Sequence, residues 1–264
     1  MPAPYDPAPG RPLVIAVDGP SGSGKSSVSR EVARRLGLEY LDTGAMYRAA
    51  CWSVLEHGID PADPVNAVAV AKLVRRLELE MGTDPNSPSV RVAGREISAE
   101  IRETRISSAV SAVATNLEVR AELQARQRAL IAAAQRGEHG GCVAEGRDIT
   151  TVVAPNADVR ILLTASEEAR LARRAREVHG SADAQAVAAT RDQIVRRDAD
   201  DSTVSDFRVA ADGVLHLDSS GLDFEQTVDA VLTVVSHTAL HQVTNLRADA
   251  DQAGDRAGAG SVQR

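Results

Sequence analysis

Aromatic side chains are scarce in this sequence. Phe, Tyr and Trp together make up 2% of 264 residues, so a core has to be built from Ala, Val, Leu and Ile. No apolar run approaches the roughly 20 residues that a membrane-spanning helix needs. The proline-rich N-terminus has no hydrophobic segment of the kind a secretion signal carries. There are two cysteines, Cys51 and Cys142, far apart in the chain; buried free thiols are the expected state and the cytoplasm the default location. Positive charge is in deficit as well: 30 Lys and Arg against 37 Asp and Glu leave a formal net charge of −7. That argues against a nonspecific nucleic-acid binder, while leaving room for a local basic cleft. Lysine is almost absent, with only Lys25 and Lys72, so no N/T-K-x-D segment for reading guanine exists. The chain is also too short for a motor or large ATPase, and it contains no internal repeat.

What is present alternates short apolar runs with helical periods. LVIAVD (13–18), EYLD (39–42), the GGCVAEG run, ADVRILLTA and GVLHLD read as buried strands, each followed or preceded by an amphipathic segment. Five such strands between helices predict a doubly wound α/β domain with its site at the carboxyl ends of the strands. From Pro61 to Arg105 the texture changes to a helix and two alternating segments around TDPNSPS, an antiparallel ribbon inserted in the βα series. The expected organisation is a disordered leader at 1–11, a core at 12–60 and 106–235, the insert at 61–105, a lid region at 170–200 and a disordered tail at 237–264. Asp223 and Gln226 are spaced as a capping box for the closing helix.

The stretch from Gly19 to Ser27, GPSGSGKSS, follows the first strand and opens a helix. It fits G-x-x-x-x-G-K-[ST], and each part has a physical reason. Gly19, Gly22 and Gly24, with Pro20, Ser21 and Ser23 between them, let backbone N–H groups curl around phosphate oxygens. The helix start at Ser26 and Ser27 adds its positive end. Lys25 supplies a point charge for the β/γ phosphates, and the Ser26 hydroxyl is placed for Mg²⁺. ATP and Mg²⁺ are therefore the expected donor and metal, and a small-molecule kinase is the leading class.

Beyond that loop, DGPSGSGKSSVSREVARRLGLEYLDTGAMYRAA, SAEIRETRISSAVSAVATNLEVRAELQARQR and EGRDITTVVAPNADVRILLTAS resemble successive segments of bacterial cytidylate kinases, the resemblance running from about Leu13 to Val235. It implies a P-loop nucleoside monophosphate kinase fold: a five-stranded parallel sheet flanked by helices, a monophosphate-binding lobe and a short lid. It also implies transfer of the ATP γ-phosphoryl group to CMP or dCMP, in a monomer that binds neither membrane nor nucleic acid. By the same resemblance Arg48 and Arg147 would grip the acceptor phosphate, as bidentate guanidinium forks can. Ser111, Arg120 and Asp148 would read cytosine, a carboxylate accepting from the C4 amino group and an arginine donating to N3/O2. Thr43 would serve as a substrate contact or as a helix N-cap. Arg197 and Asp201 would lie near the ribose, and Lys25, Arg147 and the lid arginines Arg170, Arg173 and Arg174 would neutralise the moving phosphoryl charge. Glu145 and Asp18, at strand ends, are weaker candidates for holding Mg²⁺ through water.

The sequence departs from that family in three places. Val204 stands where another arginine is usual, Arg208-Val209 replaces a Pro-Leu pair, and Leu117 occupies the usual proline before Glu118-Val119-Arg120. Two other readings stay open on the sequence alone: a P-loop kinase for UMP, AMP or shikimate, and a nucleotide-binding module whose acceptor site has degraded.

Overall fold

A computed structural model of the chain describes residues 12–179, 191 and 198–238, with the side chains of 177–179 left out. The leader 1–11, Arg197, most of the expected lid region and the tail beyond 238 lie outside the described residues.

Six consecutive apolar or strand-end residues make β1, Leu13–Asp18, buried along its whole length. It forms the centre of a parallel sheet with β2 (Glu39–Asp42), β6 (Gly141–Gly146), β7 (Val159–Thr164) and β8 (Leu215–Asp218), in the order β2-β6-β1-β7-β8. The centre of a parallel sheet is covered on both faces, so its strands read as continuous apolar runs. One face carries α1 (Lys25–Leu36) and a helix spanning 224–238, α7, through Val28, Val32, Val228 and Val231. The other face packs against Met46 of α2 (Thr43–Glu56) and Ile131 and Ala134 of α5 (Leu117–Arg136). The capping box forms: the Asp223 N–H donates to Gln226 Oε1 at 3.0 Å, and the Gln226 N–H donates to Asp223 Oδ1 at 2.8 Å.

The inserted ribbon has three strands, not two: β3 (Leu79–Gly82), β4 (Ser89–Val92) and β5 (Arg95–Glu96), antiparallel throughout. The extra hairpin turns at Ala93 (φ 49°) and Gly94 (φ 76°), the pair of positive φ angles a tight hairpin requires. α3 (Ala67–Arg75) packs against α5 and α2. The apolar core of this lobe extends past 61–105: Val70, Val90 and Ile97 share one cluster with Trp52 and Val54 of α2, Ile106 and Val113 of α4 (Thr104–Ala114), and Leu123 of α5. The single tryptophan lies here, under the Arg95 guanidinium at 5.3 Å.

Leu117, in the place of the usual proline, begins α5 and is 72% exposed. Asn116 makes a proline unnecessary, because its side chain accepts the Glu118 and Val119 N–H groups as an N-cap. Both cysteines are free and buried, and burial pushes each thiol up to about 12.

Candidate active site

Register sets the site. Asp18 at the end of β1 is level with Gly146 at the end of β6, and Asp42 at the end of β2 with Glu145. The phosphate loop, the start of α2 and the EGRD segment therefore leave the sheet side by side. Between them and the insert lobe opens a cleft of about 900 Å³.

On the donor side, α1 begins with Gly24 at φ 88° and no side-chain cap, and its first turn holds no acidic residue. By contrast Asp42 caps α2 and Asn116 caps α5. The open N–H groups of α1 keep their capacity for an anion. Lys25 Nζ lies 3.4 Å from the Pro20 carbonyl and 4.0 Å from Glu145 Oε2. Ser26 Oγ donates to Glu145 Oε1 at 2.6 Å. Glu145 is buried at the wall of the cleft; burial first, then the charge of Asp42, raises its carboxyl to about 7 against the opposing pull of Lys25. Ser26 and Glu145 form a hard-oxygen pair beside the loop, which suits Mg²⁺ held by one carboxylate together with substrate phosphates. Asp18 has no such role: Oδ1 accepts the Ile149 N–H, and Oδ2 accepts the Thr150 N–H and hydroxyl. Its carboxylate anchors the π-helical turn Ile149–Val153 that follows EGRD.

Arg48 and Arg147, the residues expected at the acceptor phosphate, both line the cleft. Arg48 Nη1 sits 3.8 Å from Asp42 Oδ2. Arg147 is gripped from several sides: Nη1 donates to the Gly19 carbonyl at 2.6 Å, Nε faces Asp201 Oδ2 at 3.3 Å, and its guanidinium lies over the Phe207 ring at 4.9 Å. Arg120 Nη2 donates to Asp148 Oδ2 at 2.5 Å, and both side chains, nearly buried, border the cleft. Gln124, one turn after Arg120, donates to the same oxygen at 2.7 Å. An i, i+4 spacing places Gln124 on the same helix face as Arg120, the signal that would have found it.

Not every expected residue reaches the cleft. Thr43 borders it, but is not the N-cap, which is Asp42; its hydroxyl donates to the Glu145 carbonyl at 2.7 Å. From α4 the cleft is lined by Ser107, Val110 and Ala114, not by Ser111. Of the lid arginines only Arg174 lines it. Arg170 and Arg173 do not line it and instead donate to the backbone of the phosphate loop, at the Ser21 carbonyl (2.9 Å) and the Ser23 carbonyl (3.0 Å). Asp201 borders the cleft, Val204 is half-buried in the turn that follows it, and the Arg208 guanidinium points to the Asp198 carbonyl at 3.5 Å. Asp198, which sequence reasoning passed over beside Arg197, pairs with Arg170.

Glu145 also makes stability pH-dependent. An exposed glutamate ionises near 4.5 and folded Glu145 near 7, so between those values the folded protein holds the extra proton and loses stability as pH rises. Each unit of that shift is worth on the order of 1.4 kcal/mol. The nucleotide-free protein is expected to melt several degrees lower at pH 7.5 than at pH 5 from this group alone. Glu145→Gln should remove that difference, as read by circular dichroism melts at the two pH values.

A model of the cytidylate kinase family matches residues 15–237. The chain is 49% identical over 228 residues to a cytidylate kinase of Cutibacterium acnes, covering 86% of this chain and 97% of that protein. It is 48% identical over 227 residues to one from Nocardia farcinica, covering 85% and 94%. It is 43% identical over 229 residues to one from Corynebacterium diphtheriae, covering 86% and 96%. With the family model matched over residues 15–237 and these relatives covered almost end to end, the chain, which carries its phosphate loop and an arginine-lined cleft at the end of a five-stranded parallel sheet, belongs to the cytidylate kinase family.

Proposed function

We propose that the chain transfers the γ-phosphoryl group of ATP to CMP and dCMP, with Mg²⁺ as the metal. The observation that carries this reading is the Arg120–Asp148 pair on the wall of the cleft that the phosphate loop also lines. A carboxylate whose Oδ2 already takes two donors can offer Oδ1 to an exocyclic amino group, and the adjacent guanidinium can donate to a ring nitrogen or carbonyl. Cytosine presents that donor and those acceptors; uracil presents an acceptor where cytosine has its amino group. A mismatch leaves buried polar groups without partners, so such a site discriminates strongly.

Phosphoryl transfer with a loose transition state asks for alignment and positive charge more than covalent help. Lys25 and the N–H groups of α1 hold the donor phosphates, Arg48 and Arg147 hold the acceptor phosphate, and Arg174 faces the same space. The acceptor's phosphate oxygen is itself the nucleophile, so no side chain has to take its proton. Ser26 and Glu145 would hold Mg²⁺, which when bound offsets the charge of the donor phosphates. Asp201, which borders the cleft, would face the sugar of the acceptor; Arg197, four residues before it, lies outside the described residues.

A coupled ADP-release assay tests this with Mg-ATP and a panel of CMP, dCMP, UMP, AMP and shikimate. ADP release is expected with CMP and dCMP, and about a hundredfold less in kcat/KM with UMP. ATP binding without CMP-dependent ADP release, or preference for another acceptor, overturns the reading.

A further inference from the structure

A loop that turns its N–H groups inward leaves carbonyls facing out, and a carbonyl packed against another element needs a donor. Here three of the loop's carbonyls each take an arginine: Arg147 on Gly19 at 2.6 Å, Arg170 on Ser21 at 2.9 Å and Arg173 on Ser23 at 3.0 Å. Arg170 and Arg173 belong to α6 (Glu167–His179). That helix presses directly on the loop: a Cβ added to Gly22 would stand 2.7 Å from the Arg170 carbonyl oxygen. Arg173 ties the same helix to the end of β8, donating to Ser219 Oγ at 3.0 Å and to the Ser219 carbonyl at 2.6 Å.

Asp198 completes the arrangement. It is 5% exposed, its Oδ1 accepts the Ser21 N–H at 3.0 Å, and its Oδ2 accepts from Arg170 Nη1. One ion pair therefore satisfies both backbone polar groups of Ser21. Neither partner borders the cleft, so neither is placed to touch a nucleotide there.

We propose that Arg170 and Asp198 are positioning residues for the donor nucleotide. Their ion pair clips the Ser21 backbone from behind and fixes the curl of the phosphate loop before ATP arrives. The inference rests on the phosphoryl-transfer reading above. Preorganisation of this kind acts on donor affinity, because the ordering of the loop is already complete when the phosphates bind. A guanidinium acting on the moving phosphoryl group would instead act on kcat. One partner stands near the start of α6 and the other beyond residue 197, so the clip also links the donor loop to the spacing of those two segments.

The test uses the full chain with Asp198→Asn, Arg170→Ala and Arg170→Lys. ATP is varied at saturating CMP, and a fluorescent ATP analogue is titrated without CMP. The first two variants are expected to raise both the KM for ATP and the Kd of the analogue about tenfold, the effect of losing a charge-assisted hydrogen bond. The expected change in kcat is under about threefold, with Lys at 170 recovering part of the affinity. Asp198 Oδ1 also stands 3.8 Å from Arg147 Nη2, so an unchanged KM for CMP is expected of Arg170→Ala and not required of Asp198→Asn. A fall of about a hundredfold in kcat at unchanged ATP affinity overturns the proposal, because it places Arg170 on the reacting phosphoryl group. Unchanged affinity and unchanged kcat overturn it equally. Circular dichroism melts identify a variant that fails to fold, and Arg170→Gln then takes its place. Failure of the acceptor reading looks different: the unmodified chain would release ADP without regard to CMP, while analogue binding still responds to the variants.

Discussion

Replacing Lys25 by Met is expected to lower kcat by about three orders of magnitude while leaving the fold intact. Met keeps the length and the helix-forming stem, so α1 loses a charge and little else. The ammonium group sits 3.4 Å from the Pro20 carbonyl and 4.0 Å from the Glu145 carboxylate, poised between the loop and the Ser26–Glu145 pair. As charge shifts toward the bridging oxygen during transfer, a cation at that point stabilises the transition state more than the ground state. A second effect acts in the same direction. Lys25 is one of the groups holding the Glu145 carboxyl down against burial, so its loss moves Glu145 further toward the protonated form, which is a poorer partner for a metal. Steady-state ADP release at saturating CMP reads the loss, and a thermal melt verifies the fold. Turnover near that of the unmodified protein would remove the phosphate loop from the mechanism.

The other large effect is expected at Asp148. Asp148→Ala should weaken CMP relative to UMP by about 1–3 kcal/mol, roughly ten- to a hundredfold in the ratio of kcat/KM values. The cause lies in both partners. The carboxylate that would accept from the cytosine amino group is gone, and Arg120, 9% exposed, keeps a buried charge that Asp148 neutralised. Breaking a buried pair by removing one member costs about 3–5 kcal/mol, so the Ala variant should also melt lower. Asp148→Asn separates the two consequences: it retains the shape and an acceptor oxygen while losing the charge. Its CMP/UMP ratio should fall as in the Ala variant, with a smaller loss of stability. An unchanged ratio in both variants would remove Asp148 from base reading.

Much of the fold was legible because its signals are local. Six apolar residues followed by a glycine loop read as β1 without knowledge of its neighbours, and the Asp223–Gln226 spacing read as a cap that the hydrogen bonds bear out. The third strand of the insert was not legible, since β5 has two residues, both exposed, and no alternation to detect. Ser111 and Ser107 lie four residues apart on one short helix, and only the packing of α4 decides which of them borders the cleft. The same holds for Asp18 and Glu145. Each is an acid at a strand end, and each is buried. What separates them is the segment each meets: Asp18 is consumed by the donors of Ile149 and Thr150, whereas Glu145 faces Ser26 and Lys25.

The sequence by itself determined the phosphate loop and the succession of strands and helices around the parallel sheet, because these depend on spacing along the chain, while the acceptor-side residues were named by family resemblance. The division of labour among the arginines was decided only by the tertiary structure. A helical period places Arg170, Arg173 and Arg174 near one another on α6 but does not say what that helix packs against. Packed onto the outer side of the loop, α6 gives two of them to the Ser21 and Ser23 carbonyls and leaves Arg174 at the cleft. A guanidinium can donate to a carbonyl as well as to a phosphate. Its role therefore follows from which oxygen the fold brings within reach.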